Sequence, residues 1–143
     1  MIINLIGQPG AGKSTIAKLL LQKLDNSINI DGDELRELFV NKDYSDSGRR
    51  NNIQNAYNIA RFLDSKNFIP VISLVSPFKD IRENLKNSNK VIEIYLKTSE
   101  IRGREKFHVL EYEIPENNFF EFDTTKISPE ELAKTIINHI KKI

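Results

Sequence analysis

Gly7-Gln8-Pro9-Gly10-Ala11-Gly12-Lys13-Ser14 follows the short apolar run Ile2–Ile6 and leads into Thr15–Leu24, which has helical periodicity. A strand that breaks into a glycine turn and restarts as a helix leaves the chain little freedom. Glycines let the backbone curl closely around anionic oxygens, so that amide donors line a nest. The helix that follows adds its unpaired N–H groups and the positive end of its dipole. The G-x-x-x-x-G-K-[ST] spacing is that of a loop holding the phosphates of a nucleoside triphosphate. Gly7, Gln8, Pro9, Gly10, Ala11, Gly12, Lys13, Ser14 and Thr15 are therefore expected to bind ATP. Lys13 is the cation expected at the β- and γ-phosphates, and the Ser14 hydroxyl is an expected ligand of Mg²⁺.

The rest of the composition narrows what surrounds that loop. At 143 residues the chain suffices for one hydrophobic core, so residues 1–143 are read as a single domain. A net charge of +1 argues against a broad surface for nucleic-acid polymers or membranes. The absence of cysteine excludes disulfides, a thiolate nucleophile and Cys-ligated metals. No apolar run approaches the ~20 residues that span a bilayer. The five-residue apolar start lacks a basic leader and runs straight into the loop, so it is read as a strand and not a secretory signal. The expected location is the cytoplasm.

Five β-type runs, Ile2–Ile6, Ile28–Asp31, Phe68–Leu74, Val91–Leu96 and Phe119–Asp123, alternate with helical stretches. The helices are expected at Thr15–Leu24, Asp33–Phe39, Arg49–Ser65, Lys79–Asn87 and Pro129–Ile140. Near-continuous Ile, Val and Leu suits strands buried on both faces. The alternation predicts an α/β domain of three layers around a mostly parallel five-stranded sheet. Ser128, Pro129 and Glu131 form a capping box that starts the last helix. Asn41–Gly48 and Arg102–Asn118 are irregular and polar, as substrate-facing loops are.

Asp31-Gly32-Asp33 follows the second strand, where side chains of an open parallel sheet face the ligand crevice. A carboxylate there can hold Mg²⁺ or orient and deprotonate an acceptor hydroxyl; the plainer alternative is that Asp33 caps its helix. Arg36, one turn on, suits an acceptor phosphate. Arg49 and Arg50 open the long middle helix with Asn52, and cations are unfavourable at a helix N-terminus unless an anion lies near. Arg50 also fits a solvated face. Tyr44 is either a platform for a base or a hydrophobic plug. Ser76 and Pro77 end the central strand and enter the next helix, where the backbone amides suit acceptor phosphates. Lys79 reads equally as a phosphate contact or a solvated residue. His108 and His139 form no H-x-x-x-H arrangement, so zinc chemistry is not expected.

Taken together, Gly7–Ser14, Asp31–Arg36, Arg49 with Asn52, Ser73–Pro77 and Asp123-Thr124 resemble the adenylylsulfate kinases in order and spacing, from Met1 to Ile140. The resemblance implies a P-loop kinase fold with strand order 2-3-1-4-5 and MgATP as phosphoryl donor. It implies a nucleotide-like acceptor that is phosphorylated on its ribose 3′-hydroxyl. By the same resemblance Asp33 stands at the acceptor hydroxyl; its place among the expected Mg²⁺ ligands is read from its position after the second strand. Asp31, Arg36, Arg49 and Asn52 hold the acceptor, Tyr44 stacks on its base, and Ser76 matches a serine phosphorylated in some members. A homodimer is also implied.

The lid departs from that pattern. The family's Arg-Asp and Lys-Gly-Leu-Tyr-Lys-Lys stretches are missing, and 101–107 is a shorter counterpart within an expected lid near 102–118. Arg102 and Arg104 are the remaining cations that can cross the transferring phosphate; otherwise they are an exposed charged loop. Cytidine diphosphoramidate kinases resemble this outline too, which leaves that acceptor as an alternative. Another small-molecule P-loop kinase and a non-catalytic ATP-binding module are the remaining alternatives. A GTPase is disfavoured because no Asn-Lys-x-Asp pattern follows the fourth strand.

Overall fold

β1 (Ile2–Ile6) is the centre of a five-stranded sheet, between β3 (Ile69–Ser73) and β4 (Val91–Lys97). The edges are β2 (Ser27–Asp31), beside β3, and β5 (Phe119–Asp123), beside β4. The computed structural model describes residues 1–100 and 102–142; Ile101, which opens the expected lid counterpart, lies outside the described residues, as does Ile143. The order is β2-β3-β1-β4-β5, as the sequence predicts, and every pairing among the described residues is parallel. A sheet that is parallel throughout needs a crossover between successive strands. α-Helices supply the first three, and the segment between β4 and β5, with one short 3-10 turn at Glu105–Phe107 among its described residues, supplies the last.

Alternation within the strands sorts the two layers of helix. Ile3 and Leu5 of β1 pack on one face with Ile16 and Leu20 of α1 (Lys13–Lys23) and with Leu132 and Ile136 of α5 (Pro129–Lys141). Ile2 and Ile72 point the other way, toward Ile53, Ala56 and Tyr57 of α3 (Asp46–Ser65) and Leu85 of α4 (Lys79–Ser88). Leu35 of the short α2 (Gly32–Leu38) joins that second cluster. Each such Ile or Leu removed from water contributes about 1.5–3 kcal/mol. The three-layer α/β domain therefore follows from period-two strands rich in Ile. None of the described helices is long and apolar enough to cross a membrane.

Three helix starts differ from expectation. α1 begins at Lys13 because Gly12, in the left-handed region, serves as its N-cap without any side-chain cap. α2 is capped by Asp31, whose side chain accepts from the backbone N–H groups of Asp33 and Glu34. Asp33 is therefore not the cap. α3 begins at Asp46 behind a Ser45 cap, so Arg49 and Arg50 sit one turn inside and do not open it. Arg50 bonds Asp80 at 3.1 Å and lies 4.1 Å from the centre of the Phe78 ring. It takes the solvated-face role, and the dipole argument for an anion loses that residue.

The α5 start is as expected, with Ser128 Oγ accepting from the Glu131 N–H at 3.2 Å. Ser128→Ala is expected to lower unfolding free energy by about 1 kcal/mol in a urea titration, with the slope unchanged.

Candidate active site

The carboxyl ends of β1, β2 and β3 open into a cavity of about 800 Å³. Its floor is the phosphate loop. Gly7 places that loop hard against β4: a Cβ there would lie 2.3 Å from the Leu96 carbonyl oxygen, and its φ of 147° favours glycine. Pro9, Gly10, Gly12, Lys13, Ser14 and Thr15 line the cavity, whereas Gly7, Gln8 and Ala11 support it from behind. The Ala11 carbonyl accepts from the Thr124 hydroxyl at 2.9 Å.

Lys13 Nζ donates to the Gly7 and Gln8 carbonyls, at 2.8 Å each, inside the loop. Burial, and then repulsion from Arg104, push its ammonium down to about 8, against the opposing pull of Asp33 and Asp31. A desolvated cation held only by carbonyls is suited to an incoming polyanion.

Asp31 and Asp33 occupy different environments. Asp31 Oδ1 accepts from the hydroxyls of Ser14 (3.2 Å) and Ser73 (3.3 Å), while Oδ2 takes the helix-capping amides. Thus Asp31, not Asp33, is the carboxylate in contact with Ser14. The Asp33 carboxylate lines the cavity, exposed, and accepts no hydrogen bond among the described residues. Among the described residues no cluster of three or more His, Asp or Glu forms a metal cage. A hydroxyl backed by a carboxylate still fits a magnesium ion that keeps most of its waters.

A second wall carries Arg36, Tyr44, Arg49 and Asn52. The Arg36 guanidinium lies 4.0 Å from the centre of the Tyr44 ring and donates to the carbonyls of Asn41 and Asp43. Tyr44 is 61% exposed, so it is no plug. Arg49 Nε donates to the Tyr44 carbonyl at 3.0 Å. Asn52 is buried and spends its amide N–H on the Gly32 carbonyl, leaving Oδ1 without a partner at the cavity wall. An orphaned acceptor in that position suits a ligand donor.

Ser76 and Pro77 also line the cavity. The Ser76 hydroxyl, however, turns inward and accepts from Tyr57 Oη at 3.2 Å; the residue is 1% exposed with φ of 48°. Its backbone, not its hydroxyl, is what the turn offers a ligand, and a phosphorylated serine does not suit that burial. Lys79 pairs with Glu116 at 2.9 Å.

The 102–113 segment covers the loop. Arg102 is committed to neighbours: Glu100, the Gly10 carbonyl and the Thr124 carbonyl, all at 3.1 Å. Arg104 donates no hydrogen bond among the described residues and lines the cavity, leaning toward the Phe107 ring at 5.6 Å. His108 Nε2 lies 3.2 Å from the Pro9 carbonyl. A smaller cavity of about 420 Å³ lies behind Arg102, between Gly12, Thr15 and the 124–129 turn.

Two supporting residues escaped the sequence reading. Arg82 is fully buried, donating to the Ser76 carbonyl at 2.6 Å and the Glu113 carbonyl at 2.5 Å, with Glu93 3.6 Å away. Its position three residues before Leu85, on the buried face of α4, was the available signal. Gly48 is the other: a Cβ there would lie 2.1 Å from the Asp43 carbonyl oxygen, so glycine lets the Tyr44 loop fold onto α3. It followed Ser-Asp-Ser and read as an ordinary loop end.

The lowered Lys13 fixes the sign of a pH dependence. Its native value lies below its unfolded 10.5, so the native chain binds fewer protons between about 8 and 10.5, and ligand-free stability rises with pH there. A bound triphosphate restores the charge. At about pH 9, calorimetry in two buffers of different ionisation enthalpy should register uptake of up to about one proton on triphosphate binding, and none for Lys13→Met.

The comparisons with known proteins agree with this geometry. Residues 1–107 match the model of the Adenylylsulphate kinase family. The adenylyl-sulfate kinase of Burkholderia ambifaria is 31% identical over 166 residues, spanning 97% of this chain and 91% of that protein. A cytidine diphosphoramidate kinase of Campylobacter jejuni is 35% identical over 100 residues, covering 66% of this chain and 59% of its own. In fold, the Mycobacterium tuberculosis APS kinase CysC, solved in complex with AMPPNP and APS, superposes with a TM-score of 0.82 at 20% identity, covering 98% of this chain and 96% of that one. With the glycine loop, the parallel sheet and the family match in one continuous stretch, this chain belongs to the adenylylsulfate kinase family and is an ATP-dependent phosphotransferase.

Proposed function

We propose that the chain transfers the γ-phosphoryl of MgATP to the ribose 3′-hydroxyl of a nucleotide-like acceptor, with Asp33 at the acceptor hydroxyl. The observation that carries this is the division of labour between the two aspartates. Asp31 is consumed by Ser14, Ser73 and the helix cap, while Asp33 faces the cavity without a partner among the described residues. Asp33 also lies close enough to Lys13 to act on its charge. A free carboxylate across the cavity from the phosphate cation is suited to orient a hydroxyl and receive its proton.

In this reading the loop amides and Lys13 hold the β- and γ-phosphates. The expected metal pair, Ser14 with Asp33, becomes Ser14 backed by Asp31. Mg²⁺, when bound, offsets charge on the phosphate oxygens. The smaller cavity behind Arg102 receives the donor base. Arg104, with its guanidinium uncommitted, takes the cationic role beside the transferring phosphoryl, and Arg102 closes the wall. Arg36, Tyr44, Arg49 and the free Asn52 oxygen face the acceptor. Residues 102–118 act as a short lid that excludes water.

The similarity to the Campylobacter jejuni enzyme favours a second reading, in which cytidine diphosphoramidate is the acceptor in place of adenosine 5′-phosphosulfate. The tie between Arg36 and the Asn41–Asp43 backbone leaves a flat arginine–tyrosine stack on which either base can lie. The family also carries the expectation of a homodimer in the cytoplasm.

Offering MgATP with each acceptor in parallel, and locating the phosphate on the product by NMR, decides between them. Asp33→Asn is expected to lower transfer by at least about 100-fold while leaving ATP affinity within about twofold. Retained turnover in that variant would remove Asp33 from the chemistry.

A further inference from the structure

Gln8 is the loop residue whose role the phosphate-binding geometry does not explain. It supports the cavity from behind and does not line it. Both atoms of its side-chain amide are engaged by one residue far along the chain: Nε2 donates to the Val109 carbonyl at 2.8 Å, and Oε1 accepts from the Val109 N–H at 2.8 Å. Only a primary amide can do both at once, since a carboxylate lacks the donor and an apolar chain lacks both groups. The pairing imitates one rung of a sheet.

The neighbouring contacts run in sequence. The Pro9 carbonyl meets His108 Nε2 at 3.2 Å, and the Gly10 carbonyl accepts from Arg102 at 3.1 Å. Three consecutive loop residues thus hold Val109, His108 and Arg102. Arg104 lies within that bracket. Its Cβ is 3.3 Å from where a Cβ on Gly10 would be, so its stem packs on the loop, and its charge depresses the Lys13 ammonium. The 102–110 stretch has little burial of its own to hold it: Phe107 is 51% exposed and Leu110 87%. Its placement depends on directed hydrogen bonds.

We infer that Gln8 is a positioning residue for phosphoryl transfer: its amide latches Val109 to the phosphate loop and so holds Arg104 beside Lys13. This rests on the transfer reading proposed above. Gln8 touches no reacting atom and takes no part in bond making.

Gln8→Met keeps the length of the side chain and removes both hydrogen bonds. In it kcat for transfer should fall about tenfold, with KM for ATP moving less than about twofold because the loop amides are untouched. ATP hydrolysis per transfer event should rise as water gains entry. On an Arg104→Ala background the same substitution should cost less than about twofold, since the two act as one unit. Hydrogen exchange at the Val109 amide should be protected in the native chain and fast in Gln8→Met. Gln8→Glu, which can accept but not donate, should retain that protection and lose part of kcat.

A full tenfold loss persisting on the Arg104→Ala background would make Gln8 merely structural and overturn the inference. So would an unprotected Val109 amide in the native chain, or an unchanged kcat in Gln8→Met. If the native chain transfers to neither acceptor, the functional reading fails by itself; amide exchange and the MgATP hydrolysis rate of Gln8→Met still decide the latch. Should Gln8→Met not fold, Gln8→Ala, which also removes both hydrogen bonds, carries the same comparisons.

Discussion

The Asp31 carboxylate ties together the ends of three elements at the mouth of the cavity. One oxygen takes hydroxyls from the first turn of α1 and from the end of β3; the other takes the first amides of α2. Asn29 adds a further link, donating to the Ser73 hydroxyl at 3.1 Å and so fixing how that hydroxyl points. Hydrogen bonds to a charged acceptor contribute about 1.5–3 kcal/mol each at most, and the capping share nearer 1. That sum is small beside the apolar core. Its importance is geometric: it sets the Ser14 hydroxyl in place and leaves Asp33, two residues on, as the carboxylate with nothing else to do.

A second polar system lies beneath the Ser76 turn. Asn4, in the middle of the central strand, donates to Tyr57 Oη, which donates to Ser76. Arg82 takes the Ser76 carbonyl and shares the buried Glu93 with Lys86. Burial raises the Glu93 carboxyl, with Lys86 and Arg82 opposing. Such buried charge is poor stabilisation, since desolvation consumes most of the Coulombic gain. What it provides is a turn with one conformation. Ser76 is held in the left-handed region, which a serine seldom adopts unaided, and the cavity wall built on its backbone is held with it.

Local patterns made the sheet legible in advance. Ile-rich runs, the glycine loop and the Ser128 cap each express short-range physics, whereas the strand order came only from the family resemblance. The positions misassigned or missed are those whose role depends on what the folded backbone brings against them, near or far in sequence. Asp31 and Asp33 compete for one cap, and only the position of Ser14 and Ser73 shows which wins. Gly48 reads as a loop end until the Asp43 carbonyl is seen where a side chain would be. Arg82 reads as a surface residue of a polar helix, because neither Ser76 nor Glu113 is its sequence neighbour. The family match likewise ends at Phe107, inside the 102–113 segment that covers the phosphate loop.

That segment is held unevenly, and the unevenness suits a two-substrate transferase. Near its far end, Arg82 binds the Glu113 carbonyl, the Glu113 N–H meets the Pro77 carbonyl at 3.0 Å, and the Tyr112 hydroxyl bonds the Val75 carbonyl. These contacts are partly buried, and opening them would strand the fully buried Arg82 guanidinium. Nearer the tip, Leu110 and Phe107 stand largely in water, and the ties are the paired Gln8–Val109 hydrogen bonds and the Pro9–His108 contact, each bond worth about 1 kcal/mol net. Local opening is cheapest where few apolar contacts are lost. The tip is thus held less firmly than the base near Glu113. What the 102–110 stretch lacks in buried area it recovers by pairing with the phosphate loop itself.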